Sequence, residues 1–183
     1  MFVHLLLEMI YMNTKSELQD YQKIFENELH GNILAYWMKY GVEANGKGFY
    51  GAVDLNNEPV PSANKTCVLN ARILWTFAAA AKQYPGKGYE HMAHKAYRVI
   101  NEDFADKEHG GFFMELDGNN RIASGIKHTY AQAFVIYSLS RYYEINPAQE
   151  VMDRIRDFFY FLEGKTKDPD HLGYFEAFTR DWN

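Results

Sequence analysis

Apolar positions recur along this chain in two patterns, and the patterns alternate. The first is a stripe at helical spacing. Residues 15–38 place Leu18, Tyr21, Ile24, Phe25 and Leu29 on one side, residues 89–104 place Met92, Ala96, Val99 and Ile100, and residues 147–162 place Val151, Ile155, Phe158 and Leu162. Charged residues fill the opposite sides, so these segments read as amphipathic helices with one face against a core. Asn146 followed by Pro147 predicts an N-cap and a first-turn proline for the third of them. The second pattern is apolar nearly all round. It covers residues 66–83 and 127–143 (KHTYAQAFVIYSLSRYY) and predicts helices buried on every side.

The segments between the helices repeat as well. GFYGAVDLNNE starts at Gly48, GFFMELDGNNR at Gly111 and GYFEAFTRDWN at Gly173, at spacings of 63 and 62 residues. Each reads as a short strand entering a turn, with DGNN at 117–120 a good turn signal. Outer amphipathic helices alternating with inner apolar ones at a fixed period describe an all-α toroid of helical hairpins, with short β-hairpin turns at one mouth. A closed ring of six hairpins needs roughly 370 residues. The chain therefore reads as about half of such a barrel. Residues 1–11 are expected to be an N-terminal extension, and residues 12–183 the N-terminal half of a single barrel domain. The competing reading is an open helical stack, which leaves the third outer helix without an inner partner.

Composition narrows the function. Of the 183 residues 47% are hydrophobic, ample for a core, and the fourteen Tyr and three Trp suit a carbohydrate surface. A net charge of −5 with no cluster of Lys and Arg argues against a nucleic-acid partner. The single cysteine, Cys67, excludes an internal disulfide and fits a reducing, cytoplasmic compartment. The N-terminal stretch MFVHLLLEMIYMNTK is too short to span a bilayer, is broken by Glu8, and lacks the basic start and cleavage site of a signal peptide. No membrane partner is expected.

One residue stands out chemically. Arg72 lies inside CVLNARILWTFAAAAKQY, and its neighbours three and four positions away are Val68, Leu69, Trp75 and Thr76. None can neutralise it, and burying an unpaired cation is costly. Either it meets a distant carboxylate or carbonyl, or it meets a ligand. His128, near Tyr130, is expected to orient the start of its helix by donating to backbone, with general base as the other reading. His91 and His94 have a metal-capable spacing but lie on a solvated helix with no third ligand nearby, so no metal site is expected. Glu176, Asp181 and Trp182, in the third turn, suit contact with a second sugar unit, or ordinary turn polarity and packing.

LNARILWTFAAA, KHTYAQAFVIYSLSRYYE and GYFEAFTRDWN together resemble the N-acylglucosamine 2-epimerase family, above all its cellobiose 2-epimerase branch, over residues 13–183. The resemblance implies an (α/α)6 barrel and inversion at C2 of a reducing-end sugar, through an enediolate, with neither cofactor nor metal. It gives Arg72 the part of the cation that stabilises the enediolate oxygen, and Tyr130 a place in the same pocket. Repeat alignment sets Tyr130 against Leu69, one turn from Arg72. The substrate implied is an oligosaccharide of cellobiose type or an N-acylhexosamine. The family's acid–base histidines and their supporting glutamate are expected beyond Asn183. The alternative is a non-catalytic carbohydrate-binding or structural half-barrel, with self-association through uncovered inner helices. A glycoside hydrolase needs two carboxylates across the scissile bond, and the inner helices offer none.

Overall fold

The computed structural model describes residues 2–183, with side chains from Lys15 onward. The expectation for residues 1–11 as an extension concerns side chains outside that range. The chain divides into two compact units, the first ending at Gly41 and the second spanning Val42–Asn183.

The first unit contains α1 (Phe2–Glu28), a π-helical segment (Leu29–Ile33), the short α2 (Leu34–Tyr36) and a second π-helical segment (Trp37–Gly41). The stripe expected to face a core does not do so. Leu18, Tyr21, Ile24 and Phe25 are all more than half exposed, and Tyr21 stacks on Phe25 at 6.4 Å. Periodicity reports which side of a helix favours cover, not whether cover is present.

The second unit holds four longer helices: α3 (Cys67–Gln83), α4 (Tyr89–Val99, continued by a π-helical segment Ile100–Phe104), α5 (Thr129–Tyr143) and α6 (Gln149–Thr166). α3 packs against both α4 and α5, and α5 packs against α6, which gives inner and outer layers. Met92, Ala96, Val99 and Ile100 are buried as their spacing predicts, and so are Val151, Phe158 and Leu162. α3 starts where Thr66, in extended conformation, accepts the Leu69 N–H on its hydroxyl at 3.1 Å. The N-cap of α6 is Ala148, not Asn146, because the chain turns through Asn146 and Pro147 before the helix begins.

Short strands close the mouth. β1 (Lys65–Thr66), β2 (Glu115–Leu116) and β3 (Ile122–Ser124) form one antiparallel sheet. β4 (Lys127–His128) pairs with β7 (Ala177–Phe178), and β5 (Lys167–Asp168) with β6 (Gly173–Tyr174).

The repeat seen in the sequence is a repeat of hydrogen bonds. Val42 bridges Phe49, Ala105 bridges Phe112 and Lys167 pairs with Tyr174. Each turn then closes alike: Asp54 N–H to Glu58 O at 2.9 Å, Asp117 N–H to Arg121 O at 2.8 Å, and Thr179 N–H to Asn183 O at 3.0 Å. The residue three on from each donor is left-handed: Asn57, Asn120 and Trp182. Asparagine tolerates that conformation, but tryptophan is strained in it by about 1–2 kcal/mol.

A buried ion pair anchors two of the turns. Lys65 Nζ lies 2.5 Å from Glu43, and Lys127 Nζ lies 2.9 Å from Asp106. Each lysine precedes the N-cap of an inner helix, and each carboxylate lies five residues before a Gly-aromatic strand. The next turn covers each pair: Asn120 accepts from Lys65 at 2.6 Å, and the Trp182 ring lies 5.8 Å from the Lys127 ammonium.

Candidate functional site

α3 and α5 bury one side and leave the other open. Ala71, Leu74, Phe77 and Ala78 are buried on α3, and Ala131, Val135, Leu139 and Tyr142 on α5. Arg72 points the other way and is exposed. It makes no hydrogen bond or ion pair among the described residues. The expected burial of this cation is therefore corrected: Arg72 is exposed and has no charged partner among the described residues.

Arg72 shares its side of α3 with Trp75, three residues on. Trp75 stacks on Tyr137 of α5, with ring centres 5.3 Å apart and planes 10° from parallel. Trp75 and Tyr137 are each the ninth residue of their helix, so the two inner helices stand level at this point. Matching helix starts sets Tyr130 against Val68, not Leu69, and Arg72 against Phe134. The rings continue along α5 from Tyr137 to Phe134 at 6.1 Å and from Phe134 to Tyr130 at 4.8 Å, both edge to face. Tyr130, Ala133, Phe134 and Tyr137 line an open cavity of about 330 Å3. The Arg141 guanidinium lies 5.3 Å from the Trp75 ring and is held there by Glu144 at 2.9 Å. The open side thus joins a cation unpaired among the described residues to a row of rings, a surface suited to a neutral polyol that develops negative charge.

The third turn is tied onto the start of α5. Lys127 pairs with Phe178 and His128 with Ala177. Thr129 donates its N–H to Glu176 O at 2.9 Å and its hydroxyl to Phe175 O at 2.5 Å. His128 Nδ1 lies 3.2 Å from Glu176 Oε1. The histidine was expected to donate to backbone, but it makes no capping bond and its partner is this side chain.

Two of the expected sugar contacts serve the turn itself. Asp181 accepts from Thr179 Oγ1 and from Asn183 Nδ2, and these bonds hold its carboxyl below the ordinary range. Trp182 is only 7% exposed, donates its indole N–H to His109 O at 3.0 Å and packs edge-on against Phe161 at 5.2 Å. A Cβ on Gly111 would come within 2.6 Å of this ring, which is why the second turn carries glycine there. Trp182 is packed between turns and not presented to the open side.

The buried pairs are the residues that periodicity missed. Asp106 receives Lys127, two bonds from Arg180 at 3.0 and 3.2 Å, and the N–H groups of Glu108 and His109. Burial opposes ionisation, but bonds from Arg180, Lys127 and the two backbone groups outweigh it and hold the carboxyl well below the usual carboxylate range. Gln132 clamps both the N–H and C=O of Phe112, each at 2.9 Å. The signal was present as Lys65 and Lys127, and as Glu43, Asp106 and Asp168, at repeated positions.

Of the histidines on α4, His91 is exposed and His94 bonds the Tyr142 hydroxyl at 2.6 Å. Among the described residues no three His, Cys, Asp or Glu side chains gather closely enough to hold a metal ion. No helix among them is long and apolar enough to cross a membrane.

The model of the family described as N-acylglucosamine 2-epimerase matches residues 48–183. A cellobiose 2-epimerase of Bacteroides fragilis is 36% identical over 158 residues, 86% of this chain and 40% of that protein. The structure of cellobiose 2-epimerase from Spirochaeta thermophila superposes with a TM-score of 0.85 at 32% identity, over 92% of this chain and 41% of that one. That from Bacillus thermoamylovorans gives 0.85 at 30% identity, over 90% and 42%. The chain thus spans about two fifths of the length of the relatives it matches. These neighbours agree with the (α/α)6-barrel type expected from the repeat.

Proposed function

Because the chain belongs to the N-acylglucosamine 2-epimerase family, we propose that it carries the arginine-bearing part of a sugar 2-epimerase, with residues 12–183 forming the N-terminal half of one barrel domain. The substrate is the reducing-end glucose or mannose of a cellobiose-type oligosaccharide, and the setting is cytoplasmic. The observation that carries this reading is Arg72: a cation with no partner among the described residues, on the same side of α3 as Trp75 and its row of aromatic rings.

The chemistry follows from what C2 inversion needs. The sugar must be open, so that the C1 aldehyde acidifies the C2 proton. Removing that proton moves charge onto O1 and gives an enediolate, and a proton then returns to the opposite face. Arg72 offers a fixed, permanently charged fork of donors to the developing oxyanion. Trp75, Tyr137 and Tyr130 offer ring faces and phenol hydroxyls to the pyranose and its neighbour. The groups that move the C2 proton are expected outside these 183 residues.

The test is incubation of the chain with cellobiose in D2O, following deuterium at C2 and the mannose epimer by NMR. Exchange that disappears in Arg72→Ala supports catalysis by this chain. Cellobiose-dependent tryptophan fluorescence without exchange, again lost in Arg72→Ala, supports the non-catalytic carbohydrate-binding reading. Neither signal would remove the sugar site altogether.

A further inference from the structure

Inversion at C2 needs an open sugar ring, and neither Arg72 nor the row of aromatic rings supplies a group that opens it. We propose that His128, oriented by Glu176, is the acid–base group that opens and closes a reducing sugar at C1, so that the chain has aldose mutarotation activity of its own. This rests on the sugar-site reading but uses a different bond.

The fold brings this pair together. His128 and Glu176 are 48 residues apart in sequence, and their approach at 3.2 Å depends on β4 pairing with β7. Two imidazole–carboxylate contacts elsewhere in the chain are local. His109 meets the adjacent Glu108, and His171 meets Asp168 three residues away at a turn tip. At His128 the Glu176 carboxylate accepts from Nδ1–H. That fixes the tautomer and leaves the Nε2 lone pair, which has no partner among the described residues. The imidazole is 35% exposed. Two residues on, Tyr130 borders the aromatic cavity. A carboxylate-held imidazole with a nitrogen left unpartnered among the described residues, two positions before a residue that lines a ligand-sized hollow, is the arrangement of a general base.

The step balances without any co-reactant but water. Nε2 takes the proton of the C1 hydroxyl, and the O1 electrons form the aldehyde. The C1–O5 bond breaks, and O5 takes a proton from water and becomes a hydroxyl. Closure reverses these events on either face of the aldehyde, and His128 returns its proton.

Polarimetry of freshly dissolved α-D-glucose and α-cellobiose reads the activity directly. The expected result is a rate proportional to protein and well above that given by free histidine at equal concentration. It should fall at least about tenfold in His128→Gln, fall to a lesser extent in Glu176→Gln, and persist in His91→Gln. A wild-type rate no greater than that of free histidine overturns the assignment, and so does a rate retained in His128→Gln. Should His128→Gln fail to fold by circular dichroism, the Glu176→Gln rate decides alone: unchanged, it overturns the proposal. Mutarotation breaks no C–H bond. Anomer exchange without deuterium at C2 would therefore support this proposal by itself, sugar binding lost in Arg72→Ala without any mutarotation would overturn it and leave the sugar-site reading standing, and C2 exchange without His128-dependent mutarotation would overturn it alone.

Discussion

Lys127 Nζ lies 2.9 Å from Asp106 Oδ2, and both side chains are sealed from solvent. The pair is joined by Arg180 from the third turn and flanked by the Phe113 ring 4.9 Å from the ammonium. Asp106 thereby links a turn, the start of an inner helix and the following turn.

Removing one partner leaves the other charge buried. Asp106→Ala should lower stability by about 3–5 kcal/mol, since an uncompensated buried ion is more costly than the intact pair. Urea unfolding at neutral pH measures it, and a loss under about 1 kcal/mol would show that the pair contributes little.

The same carboxylate sets an acid limit. Its folded pKa lies below its unfolded value, so its stabilisation is fully present above the unfolded value, near about 4. It is lost as the pH falls from there through the depressed folded value. Urea midpoints should decline from about pH 4 downward, and Asp106→Asn should flatten that decline.

Cys67 is wholly buried, and burial pushes its thiol up to about 12 against the opposing pull of Lys127. At pH 8 it should resist iodoacetamide in the native protein and react as the chain unfolds. Rapid native labelling would place the start of α3 in a more open setting.

Trp182 should be separable into ring and N–H. Trp182→Phe keeps most of the packing and loses the bond to His109 O, an expected cost of about 1 kcal/mol. Trp182→Ala removes the ring from between Phe161 and Gly111 and should cost about 3–5 kcal/mol. Thermal unfolding compares them, and equal losses would mean that the ring contributes nothing beyond its hydrogen bond.

Arg72→Ala should leave stability within about 0.5 kcal/mol of wild type, because the side chain is exposed and bonds to nothing described. A larger loss in urea would make Arg72 structural and weaken its assignment to the sugar.

The helices of the second unit were legible because 3.6-residue periodicity survives in Met92, Ala96 and Val99, and in Val151, Phe158 and Leu162. The turns were legible because Gly48, Gly111 and Gly173 recur at one period. Exposure was not. A helix apolar all round was read as buried all round, yet α3 and α5 leave Arg72, Tyr130 and Tyr137 open, since composition states an affinity for cover and not its presence. Trp182 suits sugar contact and turn packing equally in the sequence, and its burial against Phe161 and over Gly111 favours packing. His128 and Glu176 could not be paired beforehand, because only the β4–β7 register brings them together.

The covering of each lysine by the turn that follows has a kinetic meaning. Lys65 and Glu43 form within one period, but Asn120 comes from the next. Lys127 and Asp106 likewise wait for Arg180 and Trp182. Each period thus completes its predecessor, a nearest-neighbour coupling of the sort that makes repeat arrays fold by propagation. Order should then spread along the chain like a zip, with every tooth secured by the one after it, and a lesion in one turn should loosen the preceding helix before the following one.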